Sequence, residues 1–199
     1  MMQIQCECGK FKAELTGLPK NTPGRLKCYC DDCQAYLHYL GRSDLLDVNG
    51  GSEIIPAYPA EVKITSGRDF VMCTRLHASG LDRFSTTCCN TPIVNTDPRR
   101  PWAGMHGRMF TARDPKSLDS TFGPTKSSIM GKYAKGTPPP GTPAKFDMKG
   151  MITVMPFILK GTFTGKAKGS PFYENGTPVG TTKTLSESEY RAALAKAGF

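Results

Sequence analysis

Histidine and tryptophan are nearly absent from this chain, with three of the first and one of the second in 199 residues. Aliphatic and phenylalanine side chains are scarce as well, since Leu, Ile, Val and Phe together number 37. That lies just under the level at which a strongly charged chain is expected to be disordered, so a core this thin needs a staple. Long hydrophobic runs are missing. The longest, Met151 to Leu159, is interrupted by Thr153 and Pro156 and reaches about half of the roughly 18 residues that a span requires, which excludes a helical membrane protein. The opening Met1-Met2-Gln3-Ile4-Gln5-Cys6 has neither a basic n-region nor an apolar h-region. No secretory precursor is therefore expected, and the expected compartment is the cytoplasm. There, clustered cysteines point to metal or catalysis more often than to disulfides.

What the chain has in quantity is glycine (21), proline (16) and cysteine (8), under a formal net charge of +9. The charge is uneven. Residues 1–97 carry ten Lys/Arg and eleven Asp/Glu, whereas residues 98–199 carry sixteen and six. All eight cysteines lie between Cys6 and Cys89. Two regions follow: a near-neutral cysteine-rich module over 1–97 and a basic, Gly/Pro-rich extension over 98–199, expected to pack on the module. The extension can steer an anionic partner or simply keep the surface solvated. Specific nucleic-acid binding is not expected, because only Arg99-Arg100 are adjacent and no compact basic run exists.

The pattern is mainly β. Val62-Lys63-Ile64 alternates before Gly67, Phe70, Met72, Thr74 and Leu76 share one strand face, and Ala78-Ser79-Gly80 turns the chain into a returning strand over Leu81–Ser85. Gly136 to Pro143, with four prolines, is expected to be a loop. Asp31 or Asp32 can cap a helix carrying Cys33, Tyr36, Leu37 and Leu40 that Gly41 ends. Ser186 and Glu189 fit a capping box for a C-terminal helix over 186–197. Met148, Met151, Ile152, Met155 and Leu159 also have helical spacing, and such a stripe is expected to be core packing.

The cysteines fall into three clusters and one lone residue, Cys73, expected to be a buried small hydrophobe. Cys28, Cys30 and Cys33 lie within six residues, and Cys30-x-x-Cys33 is the spacing with which a tight turn brings two sulfurs to one zinc. A helix starting beside them favours thiolate over thiol. Three protein ligands with one open place is the pattern of a catalytic zinc, whereas His38, His77, His106, Asp31 or Asp32 would be needed to close it. Cys6 and Cys8 can share a second, structural ion with Cys88 and Cys89. Such a site stabilises zinc-dependent peptides by about 10 kcal/mol or more. Successive side chains of an extended chain point to opposite faces, so a turn or bulge is needed if Cys88 and Cys89 are both to bind. One or two zinc ions per chain are expected.

Taken together, Cys6-Glu7-Cys8-Gly9, Cys28 to Gln34, and Arg83-Phe84 leading to Cys89-Asn90-Thr91-Pro92 resemble the glutathione-dependent formaldehyde-activating enzyme family. That family includes centromere protein V and has a zinc-bearing β-tent (Mss-four-like) fold. The Gly67 and Gly80 turns also fit, and the resemblance covers roughly residues 3–97. It implies that Cys6, Cys8 and Cys89 match structural zinc ligands and that Cys28, Cys30 and Cys33 match those of the active-site zinc. Thr86 stands where the family has a further cysteine, with Cys88 as the available substitute, which marks a divergent branch. The implied activity is that of a carbon–sulfur lyase acting on a thiol adduct such as S-hydroxymethylglutathione, with glutathione as the small anionic partner. No protein nucleophile is expected. Asp31, Asp32, Tyr36 and His38 lie near the ligands in sequence, but each also suits a cap, a core position or the surface. The alternative is a non-enzymatic, zinc-stabilised binding module with a basic docking surface, because fold does not decide function.

Overall fold

The computed structural model describes residues 1–112, 114 and 117–199. The strands are β1 (Met2–Gln5), β2 (Lys12–Leu15), β3 (Leu26–Cys28), β4 (Ser52–Ala57), β5 (Val62–Ser66), β6 (Val71–Arg75), β7 (Asp82–Thr86), β8 (Pro92–Thr96), β9 (Ala103–His106), β10 (Ser127–Ile129), β11 (Tyr173–Glu174), β12 (Thr177–Pro178) and β13 (Thr181–Thr184). The helices are α1 (Asp31–Tyr39), α2 (Arg108–Thr111), α3 (Ser117–Phe122), α4 (Met148–Phe163) and α5 (Glu187–Ala197). The fold is mainly β, with several sheets. No helix among the described residues is long and apolar enough to cross a membrane.

Strands β1, β2 and β5 form a small antiparallel sheet. The large sheet has eight strands in the order β10-β3-β4-β9-β8-β7-β6-β13. Its central ladders are antiparallel, while β10 on β3 and β13 on β6 are parallel. The outer strands of the first half, β3 and β6, are thus covered by strands from the second half, and the short strands β10 and β13 become the edges of the sheet. The strand β9 lies between β4 and β8, so the sheet runs through the charge boundary at residue 97 without a break.

Side-chain alternation gives the large sheet two unlike faces. Ile55, Ala57, Val71, Cys73, Phe84, Val94, Ala103 and Met105 face the small sheet and form the main core with Ile4, Phe11, Ala13 and Leu15. The register places Cys28 opposite Ser52, Ile54 opposite His106, and Arg83 opposite Asn95 on the other face. Ser52, Arg83, Asn95 and His106 are all buried, so this second face is a covered polar layer. Leu76, Leu185, Tyr36, Leu37 and Leu40 form a smaller core where α1 meets α5.

The local expectations meet the structure unevenly. The returning strand is β7, with Val71 opposite Thr86, and residues 136–143 contain neither helix nor strand. The capping box of α5 is complete, and Cys73 is fully buried in the main core. Helix α1 begins at Asp31, but its cap is Cys30 rather than Asp31 or Asp32, because the Cys30 backbone is extended and its Sγ accepts the Cys33 N–H at 3.4 Å. The expected core role of the methionine stripe does not hold. Met148, Ile152 and Phe163 are 74%, 67% and 86% exposed. Helix α4 docks by its opposite side, where Phe157 stacks on Tyr58 at 4.1 Å and the Tyr58 hydroxyl donates to the Phe157 carbonyl at 2.8 Å. On that side Gly161 lets the helix come close, since a Cβ there would stand 2.5 Å from the Tyr58 ring.

Candidate metal centres

The first centre forms where the turn after β1 meets the turn between β7 and β8. The Cys6 N–H donates to Phe11 O at 3.0 Å and the Phe11 N–H donates to the Cys6 sulfur at 3.3 Å, which closes the first turn around Cys6 and Cys8. In the second turn the Thr86 N–H donates to Thr91 O and the Asn90 N–H to Thr86 O, at 3.0 and 2.9 Å, with Asn90 at φ +51°. That reversal solves the problem of adjacent cysteines, because Cys88 and Cys89 leave a turn rather than a strand and both sulfurs reach the same place. The Sγ separations are 3.5 Å for Cys6–Cys8, 3.9 Å for Cys6–Cys88, 3.3 Å for Cys8–Cys88 and 3.8 Å for Cys88–Cys89. Four sulfurs each about 2.3 Å from one tetrahedral ion stand about 3.8 Å apart, so the spacing and the all-sulfur donor set fit a zinc-sized soft ion.

The surroundings fix this centre. Glu7, between two of the ligands, accepts from Arg42 at 2.8 Å and is also bound by Arg108, and its N–H donates to Thr91 Oγ1 at 3.2 Å. The Asn90 amide donates to Leu40 O at 3.2 Å. Thr86 Oγ1 lies 3.4 Å and Thr91 Oγ1 3.1 Å from the Cys89 sulfur. Burial pushes the Cys89 thiol up, but these hydroxyls outweigh it and bring its pKa down to about 6, while burial and Cys8 push Cys88 up to about 12.

The second centre lies at the start of α1. Cys28 ends β3, Cys30 caps the helix and Cys33 sits in its first turn. The Cys28 and Cys30 sulfurs are 3.3 Å apart, and all three lie within 4.8 Å of one another. Hydrogen bonds from Cys28 and Cys30 pull the Cys33 thiol well below its ordinary range, and Arg83 adds to the effect against the cost of burial. Among the described residues no histidine or carboxylate joins either group of sulfurs, so the second centre offers three candidate ligands where the first offers four.

Residues 1–183 match the model of a family of unknown function, DUF6151. The chain belongs to that family. No curated protein matches it. A crystal structure of a Rhodobacter sphaeroides protein is similar to this chain over 59% of its length and 94% of the other, at 15% identity and a TM-score of 0.43.

In this DUF6151 chain the residues near the second centre in sequence have other duties. Asp32 accepts from the Tyr190 hydroxyl at 2.8 Å and lies 3.5 Å from His77 and 3.6 Å from Arg83. Tyr36 is fully buried, which raises its pKa above the ordinary phenol range. His106 is buried beside Asn95 at 3.4 Å, and burial brings its pKa down to about 4. His38 is shifted down by burial and by the charges of Lys135 and Lys196, so cations of the second half stand around α1. Sequence reasoning gave no role to three groups. Arg83 donates to the Cys33 sulfur at 3.8 Å, and Gln34 is a buried tie whose amide donates to Tyr29 O and Tyr133 O at 2.7 and 3.0 Å. Thr86 and Thr91 serve the Cys89 sulfur. An arginine inside a strand whose neighbours are buried was the one available signal for Arg83.

Proposed function

We propose that the chain is a two-centre zinc protein of the β-tent kind, related to the glutathione-dependent formaldehyde-activating enzymes, and that its second centre handles a small thiol. The observation that carries the reading is the inequality of the two centres: four sulfurs at Cys6, Cys8, Cys88 and Cys89, three at Cys28, Cys30 and Cys33. The first is a closed structural tie. A zinc ion held by the second would have one place free, where it would keep a substrate thiol as thiolate, the nucleophilic form. The chain's own residues supply the rest. Cys30 and Cys33 are held by the first turn of α1 and Cys28 by the β3–β10 pairing, and Lys135 and Lys196, whose charges reach His38 of the same helix, would steer an anionic ligand such as glutathione.

The reaction this suits adds a thiol across formaldehyde. The sulfur bonds to the carbonyl carbon, the carbonyl π bond breaks, and its oxygen takes a proton, giving the S-hydroxymethyl adduct; the lyase direction is the reverse. The test is adduct formation from formaldehyde and glutathione, followed by proton NMR, together with zinc stoichiometry on protein purified without chelator. Two zinc ions and a rate above the spontaneous one that Cys30→Ala abolishes are expected. Full activity in folded Cys30→Ala would refute the mechanism.

The second reading, a zinc-stabilised binding module for an acidic protein, has its own observation. Met148, Ile152, Leu159 and Phe163 of α4 are exposed next to Lys160. A second centre that takes no added thiol would favour it.

A further inference from the structure

Arg83 is 3% exposed, an unusual place for a cation unless anions accompany it. Its guanidinium donates to Cys33 Sγ at 3.8 Å, lies 3.6 Å from Asp32 Oδ2, and has its carbon 5.4 Å from the centroid of the Tyr36 ring. Asp32 is shared with Tyr190 and His77. Among the negative charges that act on Arg83, Cys33 stands ahead of Cys30 and Asp32, so it is the anion that the cation chiefly balances. The charge count then has a consequence. Three thiolates around a divalent ion leave a net charge of −1, and a fourth, anionic ligand makes it −2. In a covered site that addition is opposed, and one fixed buried cation offsets it. A neutral fourth ligand adds no charge and needs no such help.

We propose that Arg83 is the residue that sets the charge preference of the second centre, making its open place accept an anionic ligand, a thiolate above all, over a neutral one. The inference rests on the reading that Cys28, Cys30 and Cys33 hold a metal with a place to spare. It is distinct from a structural role for Arg83, because a purely structural role would affect anionic and neutral ligands alike.

The probe is cobalt(II) loaded in place of zinc, whose visible bands report the ligands directly. Wild type, Arg83→Met and Arg83→Lys are titrated with 2-mercaptoethanol, azide and imidazole at fixed pH. In wild type, azide is expected to bind more tightly than imidazole. Arg83→Met should retain cobalt at the second centre, bind 2-mercaptoethanol and azide at least tenfold more weakly, and bind imidazole within twofold of wild type. Arg83→Lys, which keeps a positive charge, should recover most of the anion affinity. Equal loss for all three ligands, or no loss for any, would overturn the assignment while leaving the metal centre standing. Preference for imidazole over azide in wild type would overturn it without any variant, should Arg83→Met fail to fold. Cobalt bound at the four-cysteine centre alone would overturn the underlying reading and this inference with it.

Discussion

Removing Cys8 separates a metal's contribution from that of packing. Cys8 is exposed whereas Cys6 and Cys73 are buried, so Cys8→Ala takes away almost no covered surface, and on packing grounds alone its cost is within about 0.5 kcal/mol. If the four sulfurs share an ion, the cost is of another size. The Cys8 and Cys88 sulfurs meet across 80 positions of chain, and a tie closing a loop of that length is worth about 4.5 kcal/mol on the chain-entropy scale. Chelation should therefore destabilise wild type by about that amount from this centre, plus whatever the second centre contributes. The assay is urea unfolding of wild type and Cys8→Ala, each with zinc and with chelator. The second centre's contribution cancels in the difference between the two proteins. Cys8→Ala should cost about 2 kcal/mol or more in zinc and within about 0.5 kcal/mol in chelator. Cys73→Ala, at a buried sulfur outside both clusters, should cost about 1–2 kcal/mol under either condition. A Cys8→Ala cost that is the same with and without chelator would refute a metal at Cys6, Cys8, Cys88 and Cys89.

Three further outcomes are expected. Phe157→Ala should cost about 3 kcal/mol or more in urea unfolding, because the ring is buried and stacked on Tyr58, whereas Ile152→Gln on the exposed face of α4 should stay within about 0.5 kcal/mol; similar costs would mean that α4 is seated the other way round. His106 has its folded-state pKa lowered from 6.5 to about 4 by burial, so the unfolded chain binds a proton there first as pH falls. Its contribution is fully present above pH about 6.5 and is lost as pH drops towards 4, up to about 3 kcal/mol, and His106→Asn should flatten the stability–pH curve within that window. Gly180 has φ +72°, and a Cβ there would lie 1.9 Å from Val71 O. Gly180→Ala should therefore free β13 and raise amide exchange in Thr181–Thr184 and α5; unchanged protection there would show that β13 tolerates the shift.

The features legible in the sequence were those that local rules decide. The capping box at Ser186 and Glu189, the turn before β7 and the spacing of Cys28, Cys30 and Cys33 each depend on neighbours a few residues away. The orientation of α4 was not legible, because a 3.6-residue period shows that one side is apolar but not which side has a partner. Here Phe157 and Gly161 found Tyr58, and the methionines did not. The conformation at Cys88-Cys89 was hidden for a similar reason. The reversal depends on hydrogen bonds between Thr86 and Thr91 and on a left-handed Asn90, not on the cysteines themselves. The polar second face of the large sheet was invisible because Ser52, Arg83, Asn95 and His106 come from four separate strands, and only the register brings them together.

The second half of the chain bears on the two centres differently. The four-cysteine centre draws its sulfurs, its hydroxyls and Arg42 from residues 6–91, and Arg108 reaches its Glu7 from beyond residue 97. The three-cysteine centre has several neighbours from the second half. Ile129 pairs with Cys28 through β10, Tyr133 accepts from Gln34, Tyr190 donates to Asp32, and Leu185 packs in the small core against α1. A chain cut at residue 97 would keep every cysteine of both groups, yet its second centre would lose the strand that flanks Cys28 and the tyrosine that holds Asp32. The family match over residues 1–183 takes in Ile129 and Tyr133 and stops short of Leu185 and Tyr190. The excess of lysine and arginine then has a local meaning. Two of those lysines, Lys135 and Lys196, lower the pKa of His38 on α1, so part of the basic half acts on the helix that begins at the three cysteines.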